Sequence, residues 1–389
     1  LDGKEIVMKT LRLSVWQLCL PLMVFALGFS SCRNGKPDTF KIGAILPLSG
    51  QPAQYGKWIQ EGLELAKEET NAKGGINGRP LEIIYEDDQA NPKLAASAMQ
   101  KLANVDKVPV VFGSWSSSSV LAQAPIAEES HVIIMAEAVS PKIRDAGDYT
   151  FRIQPDGSLY MKALAPYAYD DLKLRKIATL YVNNDFGADL AAVFKREFTA
   201  LGGSVVSENG FQQGQTDLRT QITLAAQSKP DAIFVPAYTE IGQILKQSRE
   251  MGLNQRFLAA ATFENPDILE IAKDTANGVY YPHHFDPAST DPAVQQYQKK
   301  YIQRFGHPSE GFAVLAYDGL KIIEGALSKC GNDTVCIKNY LYATHDYQGV
   351  TGKTSFDEKG DVVKPIIIKT VQSGAFVRAP AKEVNATAK

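Results

Sequence analysis

Lys41-Ile42-Gly43-Ala44-Ile45-Leu46, followed at once by Pro47-Leu48-Ser49-Gly50, decides how this chain is to be read. The six-residue run carries one charge, at its edge, and is otherwise apolar or glycine, the pattern of a strand buried on both faces. The Pro/Ser/Gly stretch after it is a turn. Residues 58–71 then carry Ile59, Leu63 and Ala66 at helical spacing, Gly74-Gly75-Ile76-Asn77-Gly78 stops that helix, and 81–85 form a second strand. Strand, helix and strand in that order make a crossover unit joining parallel strands of one sheet.

The alternation continues outward. A helix is predicted at 95–102, an apolar strand at 108–112, a helix at 122–129 and a strand at 132–135. It restarts with strands at 177–182, 205–206, 232–235 and 256–260, separated by helices at 190–201, 218–226 and 241–251. Two successive runs predict an α/β chain of two doubly wound, Rossmann-like lobes. Residues 149–153 and 279–281 read as extended segments between the halves. Helices follow at 292–305 and 313–327, then a strand at 365–371 with a Ser373-Gly374 turn. A polar tail at 379–389 is expected to be disordered.

Among 389 residues, 41 are basic and 43 acidic, a net charge of −2 that offers no basic surface for nucleic acid. The five histidines are scattered apart from His283-His284, a pair that would point to opposite faces of a strand and so read as a plain segment without a metal. Near the start, Met8, Lys9 and Arg12 precede an apolar stretch at 13–28, the pattern of a secretion signal over 1–31. Gly28-Phe29-Ser30-Ser31-Cys32 resembles a bacterial lipobox, with Cys32 the residue to be lipidated and Phe29 departing from the preferred Leu, Val or Ile. A polar tether follows at 32–39. Outside the cytoplasm the closely spaced Cys330 and Cys336 are expected to form a disulfide.

Catalytic signatures are missing. Gly349-Val350-Thr351-Gly352-Lys353-Thr354 imitates a phosphate loop, but Tyr347 stands where its first glycine is required. No G-x-G-x-x-G follows a strand and no G-x-S-x-G elbow is present. The sequence thus predicts binding without catalysis and without a cofactor.

Several ordered motifs resemble the leucine/isoleucine/valine-type periplasmic solute-binding proteins of ABC transporters. They are 42–50, Ala53-Gln54-Tyr55-Gly56, 74–78, Tyr85-Glu86-Asp87-Asp88, 113–119, Asn184-Asp185-Phe186-Gly187, 247–252, Ala316-Tyr317-Asp318-Gly319 and 356–365. The resemblance implies the type I periplasmic-binding fold, whose chain passes three times between discontinuous lobes. The passages would lie near Arg152, Pro282 and Gly349. The N-terminal lobe would take 40–152 plus 283–348, and the C-terminal lobe 153–282 plus 349–378. It also implies a monomeric protein that captures a small-molecule ligand between its lobes by hinge closure. The ligand would pass to ABC permease subunits, with membrane contact only through the lipid anchor, in the periplasm or at the cell surface. A sensor acting through a membrane signalling partner is the alternative.

Ligands of open α/β sheets sit beyond the carboxyl ends of the strands. After the strand at 108–112, Gly113-Ser114-Trp115-Ser116-Ser117 leads into a helix whose free N–H groups suit an anion. By resemblance Ser116 and Ser117 match serines that grip an amino-acid carboxylate, and Trp115 offers an apolar wall. Tyr55, Asp185, Phe186 and Tyr238 match further contacts, with Phe186 where amino-acid receptors often carry Tyr. The loop Ala136-Glu137-Ala138-Val139 departs most: Glu137 replaces a small residue and Val139 a threonine. A carboxylate facing a ligand carboxylate would be repelled, so either Glu137 points away or the ligand brings a cation or N–H donors. Glu264, or Ala261 in its stead, is the position expected to meet a ligand ammonium. The ligand class stays open among amino acids, short amides or amines, and aromatic acids.

Overall fold

The computed structural model describes residues 39–380. The secretion signal, Cys32 and most of the predicted tail lie outside the described residues. β1 (Phe40–Leu46) pairs in parallel with β2 (Leu81–Asp87) and β3 (Val110–Phe112), and β4 (Ile133–Ala136) and β5 (Thr150–Arg152) extend the sheet in the order β2-β1-β3-β4-β5. Alternate residues of β1 serve opposite faces. Ile42, Ala44 and Leu46 join one core, while Ile45 joins a second core with residues of α2 (Pro92–Lys101) and α3 (Ser117–Ser130). α1 (Ala53–Ala72) makes the first crossover, between β1 and β2.

The second sheet begins after α4 (Gly157–Pro166). Its parallel part holds β6 (Lys176–Val182), β7 (Ser204–Phe211), β8 (Ala232–Val235), β9 (Arg256–Ala259) and β10 (Tyr280–His283). α5 (Asp185–Ala200), α6 (Arg219–Gln227), α7 (Glu240–Glu250) and α8 (Pro266–Ala272) occur among these strands. The chain then returns to the first lobe, where α9 (Pro292–Phe305) and the largely buried α10 (Gly311–Cys330) lie against α1. α11 (Thr334–Tyr342) follows, joined to α10 through the Cys330–Cys336 disulfide.

The third passage differs from the expectation at Gly349. β11 (Tyr347–Gly349) and β12 (Gly352–Thr354) form a separate hairpin, tied to α10 because the Asp318 carboxylate accepts from Val350 N at 2.9 Å and Thr351 N at 2.8 Å. Gly360 O accepts from Arg152 N at 2.8 Å, so the chain stays beside the first sheet to that point. It enters the second sheet only with β13 (Ile367–Gln372), antiparallel to β10, and β14 (Ala375–Arg378) at the edge. The predicted tail also starts later, since Ala379 N donates to Ile368 O. Residues 149–153, read as linking chain, contain β5, and the segment at 279–281 is part of β10.

A buried ion pair secures two of the passages. Arg152, fully buried, donates from Nε and Nη2 to both oxygens of Asp361, each at 2.6 Å, from Nη2 to Asp156 at 2.9 Å, and from Nη1 to Ser140 O. Asp156 caps α4 and Asp361 stands shortly before β13, so one guanidinium holds the first and third passages together. Removing one partner of such a pair leaves a charge buried without full compensation. Asp361→Ala is expected to destabilise the protein by on the order of 3 kcal/mol, measured by urea unfolding; a loss below ~1 kcal/mol, the range of an exposed pair, would contradict this role.

Candidate functional site

The two lobes repeat one device at the head of the helix that follows the first strand of each sheet, α1 after β1 and α5 after β6. A Cβ on Gly56 would stand 2.1 Å from Pro47 O, and one on Gly187 would stand 2.1 Å from Val182 O. Only glycine lets each helix start so close to the preceding strand or its turn. The residue before each glycine is aromatic, Tyr55 in one lobe and Phe186 in the other, and both side chains are buried where the lobes meet. Tyr55 stacks on Trp115 at 4.3 Å, Trp115 lies 4.6 Å from Tyr238 of the opposite lobe, and Tyr238 stacks on Phe186 at 4.8 Å. Phe312, at the head of α10, meets Tyr55 edge-on at 5.6 Å. Tyr55 also donates across the cleft to Thr262 O at 2.7 Å.

Polar side chains close the rim. Ser118 Oγ donates to Asp185 at 2.7 Å, and Gln51 Nε2 donates to Thr239 Oγ1 at 2.8 Å. Lys142 bridges Asp185 at 2.8 Å and Asp189 at 3.0 Å, and Ser140 Oγ also donates to Asp189. Burial opposes ionisation of Asp185, yet Lys142 and Ser118 hold its carboxyl below the usual range.

Inside this rim lies a cavity of about 20 Å³, room for about one water. Trp115, Phe312 and the Glu137–Val139 loop line it from the first lobe; Tyr160, Phe186, Leu190, Tyr238 and Thr262 line it from the second. Glu137 is 1% exposed, and among the described residues neither carboxylate oxygen has a hydrogen-bond partner. Burial, with the Glu310 carboxylate adding to it, pushes the Glu137 carboxyl well above its ordinary 4.5. An unpaired buried polar group is destabilising and is rare unless a partner arrives from outside.

A periplasmic binding protein family model matches residues 39–375. The chain belongs to the periplasmic binding protein family. The Leu/Ile/Val-binding protein of Escherichia coli K12 is 28% identical over 342 residues, which cover 87% of this chain and 91% of that one. A branched-chain amino acid transporter substrate-binding protein from Streptococcus pneumoniae, solved with isoleucine, superposes with a TM-score of 0.82 at 28% identity, covering 87% of this chain and 98% of its own. A solute-binding protein of an ABC transporter from Rhodopseudomonas palustris, solved with 3,4-dihydroxybenzoic acid, gives 0.77 at 28% identity, covering 86% and 93%. The family is one of solute-binding proteins, not enzymes.

In this periplasmic binding protein, Trp115, Glu137, Ala138, Val139, Phe186 and Tyr238 all line the one cavity, and Tyr55 stands behind Trp115. Ser116 and Ser117 are buried at the head of α3, off the cavity wall; Ser117 Oγ accepts from Ser140 N at 3.2 Å. Asp185 belongs to the rim. Glu264 lies elsewhere, between Lys369 Nζ at 2.6 Å and the Tyr281 hydroxyl at 2.8 Å, while Ala261 takes the place on the cavity wall. His283 and His284 do not diverge, because β10 ends between them: their rings stack at 4.7 Å. Gln154, Tyr160, Met161, Leu190 and Phe312 were not foreseen in the lining. Tyr160, Met161, Leu190 and Phe312 signalled only aromatic or apolar character within helices, which an ordinary core shares, and Gln154 gave no signal.

A carboxyl that binds its proton more tightly folded than unfolded loses stability as pH rises above 4.5 and toward its raised folded value. Glu137→Gln is therefore expected to be more stable than the parent at pH 8, by a margin that shrinks toward pH 5 by up to ~1.4 kcal/mol per pH unit. Urea unfolding of both proteins at the two pH values measures this; a margin independent of pH would contradict it.

Proposed function

We propose that this chain is the substrate-binding component of an ABC importer. It would be exported, anchored through a lipid on Cys32, and would carry one small polar metabolite (an amino acid or a related amide, amine or aromatic acid) to permease subunits. The observation that carries this reading is the cavity itself, walled by side chains from both lobes, with Lys142, Ser118 and Gln51 bonded to partners across the cleft. The isoleucine and 3,4-dihydroxybenzoic acid complexes of the relatives support the range of ligands.

The first lobe, with Trp115 backed by Tyr55 and with the Glu137–Val139 loop, receives the ligand; the second, with Phe186 and Tyr238 on the wall and Asp185 at the rim, closes on it. Micromolar affinity corresponds to about 8 kcal/mol, within reach of a buried apolar group and two or three charge-assisted hydrogen bonds. No covalent step is involved.

A ligand that binds only the folded protein adds about 2.7 kcal/mol of stability at a hundredfold excess over its Kd. In a thermal-shift screen of protein stripped of co-purified ligand, one chemical class among amino acids, amides, amines and aromatic acids is expected to raise Tm. A flat response to all of them would count against the reading. The rim predicts a kinetic effect as well. Lys142→Ala removes a half-exposed cation bridging two carboxylates, so ligand release is expected to quicken by roughly two- to fivefold, less so in high salt. Stopped-flow tryptophan fluorescence would show it; an unchanged release rate would remove Lys142 from closure.

A further inference from the structure

The buried polar atoms left without a partner on the cavity wall are Gln154 Oε1 and the two Glu137 oxygens, acceptors once that carboxyl ionises, and a network beside the cavity fixes the first. Gly311 O can only accept, so His284 Nε2, 3.1 Å away, carries the ring proton. Burial and the neighbouring His283 keep His284 neutral, with its pKa well below the ordinary value. Its Nδ1 must then accept, and the Tyr160 hydroxyl at 2.7 Å donates to it. With that proton committed, the Tyr160 oxygen can only accept from Gln154, which turns the amide nitrogen toward it at 3.5 Å. Gln154 Oε1 is left buried without a donor, as are both Glu137 oxygens. Gln154 and Glu137 line the same cavity, and among the described residues no Lys, Arg or His does.

Trp115, Phe186, Tyr238 and Phe312 line that cavity too, and aromatic faces attract positive charge. Glu310, partly buried at the head of α10, uses its oxygens to accept from Phe312 N and Ala313 N; burial raises its own carboxyl to about 8, so it adds to the cost of ionising Glu137 and offers no positive charge to a ligand.

We propose that the cleft selects an organic cation, an ammonium or amidinium group on an apolar or aromatic body, whose N–H groups meet Glu137 and Gln154 while the rings hold the rest. This narrows the ligand class of the solute-binding reading and rests on it. A ligand carboxylate in this cavity would hold Glu137 in its protonated form and find no Lys, Arg or His among the described lining residues to offset its own charge. A cation gives all three acceptors a donor and stabilises the ionised form of Glu137 that burial otherwise disfavours.

The test is calorimetric titration of the full mature chain, stripped of co-purified ligand, with benzamidinium, phenethylammonium, leucine and benzoate. At least one of the two cations is expected to bind, at least tenfold tighter than leucine or benzoate. Glu137→Gln, which keeps the side chain's shape, is expected to weaken it at least tenfold, and Gln154→Leu by a smaller factor, with unchanged circular dichroism. Binding of leucine or benzoate with both cations silent, or cation binding unaffected by Glu137→Gln, would overturn the cation assignment and leave the solute-binding reading standing. Silence from all four would overturn the assignment and weigh against that reading as well.

Discussion

The close seating of Gly56 against Pro47 O and of Gly187 against Val182 O sets the geometry on which the cleft depends. A side chain at either glycine would lift the helix head and swing the preceding aromatic ring away. With the glycines in place, Tyr55 and Phe186 are aimed at the cleft from opposite lobes. Trp115 and Tyr238 complete a continuous layer of rings between them. Aromatic pairs of this kind contribute about 0.5–1.5 kcal/mol each beyond their buried area, so the interface is an apolar contact bordered by charge.

Charge is divided unevenly across that contact. At the rim, Lys142, Asp185 and Asp189 are paired and partly solvated, and such pairs fix orientation more than they add stability. Inside, Glu137 has no partner, and burial drives it toward its neutral form. A binding protein can keep such a group because the ligand supplies the missing partner; the empty protein is less stable for it, and the loaded one regains the difference. The passages between lobes are treated in the opposite way. Arg152 is as deeply buried as Glu137, but both of its sides are satisfied by Asp361 and Asp156.

The fold was legible because the strands of the two parallel sheets are short apolar runs with turn residues after them, as at 41–46 and 108–112. The lobe boundaries were legible only where a strand marked them. The hairpin at 347–354 belongs to the first lobe because Asp318, some thirty residues away in sequence, holds it. Within the site, the loop-borne residues Trp115, Glu137 and Tyr238 could be named because ligands gather at strand ends. Glu264 could not be assigned without Lys369, 105 residues away, which neutralises it. Gln154 and Tyr160 depend on a chain of donors and acceptors running through His284 to Gly311, and no local pattern reveals which oxygen such a chain leaves bare.

The crystal structure of the protein loaded with an organic cation tests the account most directly. The account predicts a ligand enclosed by Trp115 from one lobe and Tyr238 and Phe186 from the other, with a nitrogen ~3 Å from a Glu137 oxygen. A ligand held outside the lobes, or one that leaves the Glu137 carboxylate without a donor, would contradict it.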